Sequence, residues 1–233
     1  MAPALPIVLI PGLLASARLY REQLPTLWRF GPVTVADHTR ADNMPAIARS
    51  ILAAAPPRFA LVGLSMGGYL AFEIFRQAPE RVERLALLDT TAQPDTPELT
   101  ERRRKQIALA QRGHLGEVVE LQFPILLHPD HEHDEALRAV VRLMAQETGA
   151  EAFVRQQTAI IGRPDSRPDL ATIRCPTLVL VGDSDALTPP DLAIEISEGI
   201  DGARLVVVPQ SGHLSTLERP ETVTRALVQW LAS

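Results

Sequence analysis

Leu61-Val62-Gly63-Leu64-Ser65-Met66-Gly67-Gly68-Tyr69 decides how the rest of the chain is read. The residues leading into it, Arg58-Phe59-Ala60-Leu61-Val62, read as a short buried strand, and those after it, through about Gln77, as a helix. A serine framed as Gly63-x-Ser65-x-Gly67 between strand and helix has the form of a nucleophile elbow. The turn is so tight that a side chain at 63 or 67 would strike neighbouring backbone, so glycine is needed at both. The serine hydroxyl is then held out at the sheet edge. There the helix start offers backbone N–H groups and partial positive charge to a developing oxyanion. The five-residue pattern also arises by chance, the bland alternative being a Gly-rich turn capped by serine. The decision therefore rests on the flanking chain.

Before the elbow, Pro6 to Ile10 is apolar and β-branched, as a strand buried on both faces should be, and Pro11-Gly12-Leu13-Leu14 turns the chain. Tyr20 to Trp28 is predicted as a short helix, Val33 to Ala36 as a strand ending at Asp37, and Ala46 to Ala55 as a helix stopped by Pro56-Pro57. After the elbow, Val82 to Leu88 is a strand closing at Asp89-Thr90. This alternation predicts an α/β fold, a mostly parallel central sheet with helices on both faces. From Ala92 to Asp169 no strand-like run appears. Leu99 to Gln111, Leu115 to Leu127, Glu135 to Thr148 and Glu151 to Ile161 carry helical spacing, with Leu137, Val140, Val141 and Met144 as one stripe. An all-helical cap over residues 92–168 is therefore expected, inserted in a core made of 1–91 and 169–233. Pro176 to Val181, Leu192 to Ser197, Arg204 to Val208 and Glu221 to Leu231 resume the strand–helix rhythm.

A chain of 233 residues allows one domain with an insertion. Its net charge of −5 argues against nucleic acid as a partner. The basic run Arg102-Arg103-Arg104-Lys105 follows Glu98 and Glu101 and reads as a solvated helix face. The lone Cys175 cannot close an internal disulfide, which fits a reducing, cytoplasmic location. The run Leu5 to Leu14 has no preceding basic residue and reads as a first strand, not a signal peptide. No apolar run approaches the ~18 residues of a membrane span.

Functional groups of an open parallel sheet collect at the carboxyl ends of its strands. Here those ends carry Ser65, then Asp183 and Asp185, then His213, in the order serine, acid, histidine. A serine hydroxyl needs a base to take its proton, and histidine does so near neutral pH. A carboxylate fixes the imidazole tautomer and stabilises the imidazolium. Three acids compete for that role: Asp185, Asp183, whose alternative is to bond loop N–H groups, and Asp89. His128, His131 and His133 flank Asp130, Glu132 and Asp134. Their spacing fits no standard metal site, and a solvated loop opening the helix at Glu135 is the expectation. No metal and no cofactor is expected.

The Gly63-to-Gly68 elbow, the Gly182-x-x-Asp185 turn and Ser211-Gly212-His213 resemble, in order, the motifs of the α/β-hydrolase fold. The resemblance spans nearly the whole chain outside the cap interior. It implies Ser65 as nucleophile, His213 as general base and acid, and Asp185 as the orienting carboxylate. It also implies an oxyanion hole made by the backbone N–H groups of Met66 and Leu13. The family usually has His-Gly-x where this chain has Pro11-Gly12-Leu13. Dehalogenases and epoxide hydrolases of the fold carry aspartate at the elbow, so Ser65 points to acyl transfer to water. Leu14, Phe123, Leu126 and Leu214 are the expected substrate-binding residues, and a small or medium, mainly apolar ester is the expected substrate. The alternatives keep the same triad in a carbon–carbon hydrolase, a thioesterase or a lyase like the menaquinone-pathway member, or make the chain a non-catalytic binder. A monomer or a homodimer is compatible with the sequence.

Overall fold

The computed structural model describes residues 4–233; the first three residues of the expected core segment 1–91 lie outside it. Among the described residues the chain forms six strands and ten α-helices. In chain order these are β1 (Ile7–Ile10), α1 (Leu24–Leu27), β2 (Val33–Val35), α2 (Met44–Ala54), β3 (Phe59–Leu64), α3 (Met66–Gln77) and β4 (Val82–Leu88). Then come α4 (Pro97–Gln111), α5 (Leu115–Glu120), α6 (Phe123–Leu126) and α7 (Glu135–Ile161). The chain ends with β5 (Thr177–Gly182), α8 (Pro190–Gly199), β6 (Arg204–Val208), α9 (Ser215–Glu218) and α10 (Pro220–Ala232).

The strands make one parallel sheet in the order β2-β1-β3-β4-β5-β6. The order reverses between β1 and β3, where a crevice opens at the strand ends. Ile10 pairs with Gly63, Leu64 with Leu88, and Gly182 with Val208, so the carboxyl ends of these strands share one edge. Successive strand side chains alternate between faces. Ile7 and Leu9 pack in one cluster with Val62, Leu88 and Trp230, while Val8 and Ile10 pack in the other with Leu61, Leu70 and Ile196. Helices α1 and α10 cover the first face, and α2, α3 and α8 the second. Burial on both faces is why β1, β3 and β5 read as unbroken apolar runs.

Helices α4 to α7 lie in the chain between β4 and β5. Val119, Phe123, Met144 and Phe153 among their buried residues belong to the same cluster as the first sheet face, while Ala159 and Ile160 at the end of α7 join the second. The predicted helix Leu115 to Leu127 is two pieces, because Pro124 lacks the N–H that would continue α5. The predicted helix Tyr20 to Trp28 is a 3₁₀ turn at Ala17–Tyr20 followed by α1, which starts at Leu24 with Pro25 in its first turn. Helix α7 runs across a kink at Gly149, whose φ of 79° and ψ of 164° separate its two halves. No helix among the described residues is long and apolar enough to cross a membrane.

Candidate active site

Ser65 sits at the amino end of α3 with φ 56° and ψ −115°. A non-glycine residue held there costs on the order of 1–3 kcal/mol, so the surroundings must impose it. They do so from three sides. The Ser65 N–H donates to the Leu88 carbonyl at 2.9 Å. The Ser65 carbonyl accepts from Gly68 N–H at 2.8 Å and from the Thr90 hydroxyl at 2.8 Å. A Cβ on Gly63 would lie 2.2 Å from the Gly67 carbonyl oxygen, and one on Gly67 would lie 2.1 Å from that of Ile10. The elbow closes only with glycine at both.

His213, buried beyond the end of β6, approaches Asp185 through Nδ1, 2.8 Å from Oδ2. Asp185 is held in turn: Oδ1 accepts from the N–H groups of Leu187 and Thr188, each at 2.9 Å, and Oδ2 from the Thr188 hydroxyl at 2.8 Å. Burial alone would lower the His213 pKa, but the charge and hydrogen bond of Asp185, with Asp89 and Glu218 beyond, hold it above the ordinary 6.5. The other ring nitrogen, Nε2, is buried and has no partner among the described residues. Ser65 and His213 line the same cavity.

The two other acids have different occupations. The Asp183 carboxylate accepts from Gln210 N–H at 2.9 Å and Ser211 N–H at 3.2 Å, and these bonds outweigh burial and keep its pKa below the usual value. Asp89 is fully buried with φ 45°, accepts from Gly182 N–H at 3.0 Å and meets the Ser215 hydroxyl. Burial, and then the charge of Asp185, push its pKa well above the carboxylate norm.

Beside the elbow, the Gly12-Leu13-Leu14 turn puts Leu14 at φ 57°. The Gly12 carbonyl accepts from His38 Nε2 at 3.0 Å, and Leu14 N–H donates to Gln156 Oε1 at 3.2 Å. The Gln156 amide nitrogen lies 3.1 Å from the same His38 nitrogen. Burial lowers the His38 pKa, which keeps the ring neutral near pH 7. The N–H groups of Leu13 and Met66 carry no hydrogen bond among the described residues. The anchors that stand in for the missing turn histidine are thus His38, just past the end of β2, and Gln156 on α7.

The cavity encloses about 690 Å³ including its mouth. Leu14, Leu126 and Leu214 line it. Phe123 does not. It is buried in the interior, with the guanidinium groups of Arg138 and Arg142 at 4.5 and 5.4 Å from its ring centre. Arg103 also departs from expectation: it turns in from the basic run of α4 and lines the cavity. Within the histidine cluster, Asp134 caps α7 by accepting from Ala136 and Leu137 N–H. His131 is partly buried instead and meets the buried Glu218 at 3.0 Å. Glu218 also accepts from His128 N–H at 2.7 Å and Gly212 N–H at 2.8 Å. His38, Gln156 and Glu218 escape a reading of the sequence because each acts on a partner distant in the chain or on a backbone group, and Thr188 because nothing in the sequence marks its hydroxyl off from that of any other loop threonine. Only His38 carries a signal, its place at a strand's carboxyl end.

A sequence profile described as the alpha/beta hydrolase family matches residues 7–226. Among curated proteins, the pimeloyl-[acyl-carrier protein] methyl ester esterase of Neisseria meningitidis is 27% identical, covering 92% of this chain and 88% of its own length. Among solved structures, a thermophilic esterase from Thermogutta terrifontis superposes with a TM-score of 0.89 at 31% identity, over 98% of this chain and 89% of that one. The enol-lactonase from Burkholderia xenovorans LB400 superposes with a TM-score of 0.90, over 100% of this chain and 93% of its own; at 24% identity this shows likeness of fold.

Proposed function

Because the chain belongs to the alpha/beta hydrolase family, we propose that it is a serine hydrolase that cleaves small or medium, mainly apolar carboxylic esters through an acyl-serine intermediate. The observation that carries this reading is the state of His213. One ring nitrogen is fixed by Asp185, and the other is buried, with no partner among the described residues, in a side chain lining the cavity with Ser65. A base in waiting has that form.

In the proposed reaction, His213 Nε2 takes the Ser65 proton as Oγ attacks the ester carbonyl. The Leu13 and Met66 N–H groups receive the oxyanion. Collapse breaks the bond to the alcohol, which leaves with the proton from His213. Water then attacks the acyl-serine, again giving its proton to His213, and the acid departs as Ser65 is regenerated. Asp185 holds the imidazole and balances its transient charge. Helices α4 to α7 act as a cap that shapes the acyl pocket. The catalyst needs no cofactor, takes a small-molecule ester, and works as a monomer or homodimer in the cytoplasm.

The test is labelling by a fluorophosphonate probe mapped to Ser65, with turnover of p-nitrophenyl acetate and butyrate beside a thioester and a vinylogous diketone. Ser65→Ala should lower ester turnover by about 10⁴ to 10⁶. Activity within tenfold of the parent would sink the assignment. A preference for thioester or diketone would keep the triad and change the bond.

A further inference from the structure

Two guanidinium groups share one carboxylate at the wall of the cavity. Asp95, its side chain 1% exposed, receives Arg163 Nη1 on Oδ1 at 2.5 Å and Arg103 Nε on Oδ2 at 2.6 Å. Arg163 also donates from Nε to the Gln93 carbonyl and from Nη1 to the Ile160 carbonyl, and its guanidinium lies 4.3 Å from the centre of the Tyr69 ring. Arg103 Nη1 donates to Gln157 Oε1 at 2.8 Å. Neither Nη2 has an acceptor among the described residues, and of the two arginines Arg103 is the one that lines the cavity. The Arg103 side chain lines both the Ser65 cavity and an adjoining recess, which share Leu13, Gln122 and Leu187. No aspartate or glutamate lines either space among the described residues, and the recess adds Arg102.

Taken together, Arg103, Arg163 and Asp95 leave one unbalanced positive charge in a largely apolar pocket of a protein whose net charge is −5. A charge withdrawn from water without a counter-charge is costly, and a bound anion offsets that cost. The Arg103 guanidinium at the cavity wall matches a carboxylate. The paired hydrogens of a guanidinium nitrogen suit carboxylate oxygens. We infer that Arg103 anchors a carboxylate at the end of the substrate remote from the bond that is cut, so that the preferred esters are half-esters of short dicarboxylic acids or acids of like shape. This rests on the ester-hydrolase reading above and narrows it. The apolar cavity wall then takes the methylenes between the two ends.

The experiment pairs the half-methyl esters of four- to eight-carbon dicarboxylic acids with the same methyl esters ending in a carboxamide. At the best chain length the carboxylate should be favoured in kcat/KM by at least about tenfold, and Arg103→Met should cut that preference by about 10- to 100-fold, mainly through KM. Arg103→Met leaves Asp95 paired with Arg163, so no lone buried charge is created. Arg103→Lys should retain most of the preference. A preference for the amide at every length, or one that Arg103→Met does not move, overturns the inference. Binding of the half-esters to Ser65→Ala protein, read by calorimetry, separates the two readings. Loss of binding on adding Arg103→Met upholds the anchor whatever the chemistry at Ser65 proves to be. Equal binding of acid and amide removes the anchor even if ester cleavage through Ser65 stands.

Discussion

The backbone N–H of His213 donates to the carbonyl of Leu126, 2.9 Å away. The histidine at the centre of the site is therefore tied to the last turn of α6, a helix of the insertion. Next to it, Gly212 lies so close to the insertion that a Cβ there would sit 2.7 Å from the His128 nitrogen. Glu218 bridges the same two segments through Gly212 and His128. Helices α4 to α7 therefore meet the site through two sets of atoms: side chains that line the cavity, and a backbone segment, Leu126 to His128, that contacts Gly212 and His213.

Leu126→Ala and Phe123→Ala should separate these two sets. Leu126 lines the cavity and keeps its carbonyl on substitution, so the ratio of octanoate to acetate ester kcat/KM should shift by about tenfold. Phe123 packs inside, and Phe123→Ala should cost about 3–5 kcal/mol of stability and lower all chain lengths together by loosening the Leu126 segment. Thermal melts and kcat/KM across acetate, butyrate and octanoate esters measure both. A shift in chain-length preference from Phe123→Ala alone would reverse the assignment.

The three acids should rank by what they hold. Asp185→Asn should lower kcat by about 10⁴, since of the three acids it is the one that bonds His213 Nδ1. Asp183→Asn removes an acceptor for two loop N–H groups and should cost less than about 10². Steady-state kinetics on one ester give the order, and an equal loss for both would mean that the loop, not the carboxylate pair, sets the histidine.

The sheet and the elbow were legible because their signals are local: unbroken apolar runs for strands buried on two faces, and glycines at 63 and 67 where the backbone leaves no room. The insertion's helices were legible down to the break at Gly149, between the stretches Glu135 to Thr148 and Glu151 to Ile161, but the division of α5 from α6 at Pro124 was not. Which side chains face inward was not legible. A helical stripe reports a buried face without saying whether it looks at a neighbour or a cavity, so Phe123 and Leu126, three residues apart, went to different places. Arg103 was hidden for the converse reason. It sits in a basic run that looks solvated, and the acid that draws it inward, Asp95, precedes the helix.

The pH profile should report the His213 environment. Only neutral imidazole accepts the serine proton, so kcat/KM should rise with pH, and the raised pKa places that limb above 6.5. Asp89 contributes negative charge to the raising, so Asp89→Asn should move the limb to lower pH. A limb unmoved in Asp89→Asn would refute the coupling of the two groups.

Gln156→Leu should slow the chemistry from a distance. Without the side-chain oxygen, Leu14 N–H loses its acceptor and the Gly12–Leu14 turn keeps only His38 as a side-chain anchor. We expect kcat to fall by about ten- to a hundredfold for every ester, with KM nearly constant, because a loosened donor acts on the transition state. A change confined to KM would instead make Gln156 a wall of the pocket.

The backbone of Ser65 sets reactivity and durability against each other. At φ 56° and ψ −115° the residue occupies ground that glycine takes freely and serine does not. Ser65→Ala keeps the Cβ and with it the strain; Ser65→Gly releases it, less the extra freedom glycine gains in the unfolded chain. A net gain of about 1 kcal/mol, or roughly 2–4 °C in Tm over Ser65→Ala, is expected from calorimetric melts. The reverse order would show that the elbow is relaxed. If the gain is there, selection for this chemistry has kept the protein below the stability its own sheet could reach, and a descendant that no longer needed the reaction would become sturdier by a change at this one residue.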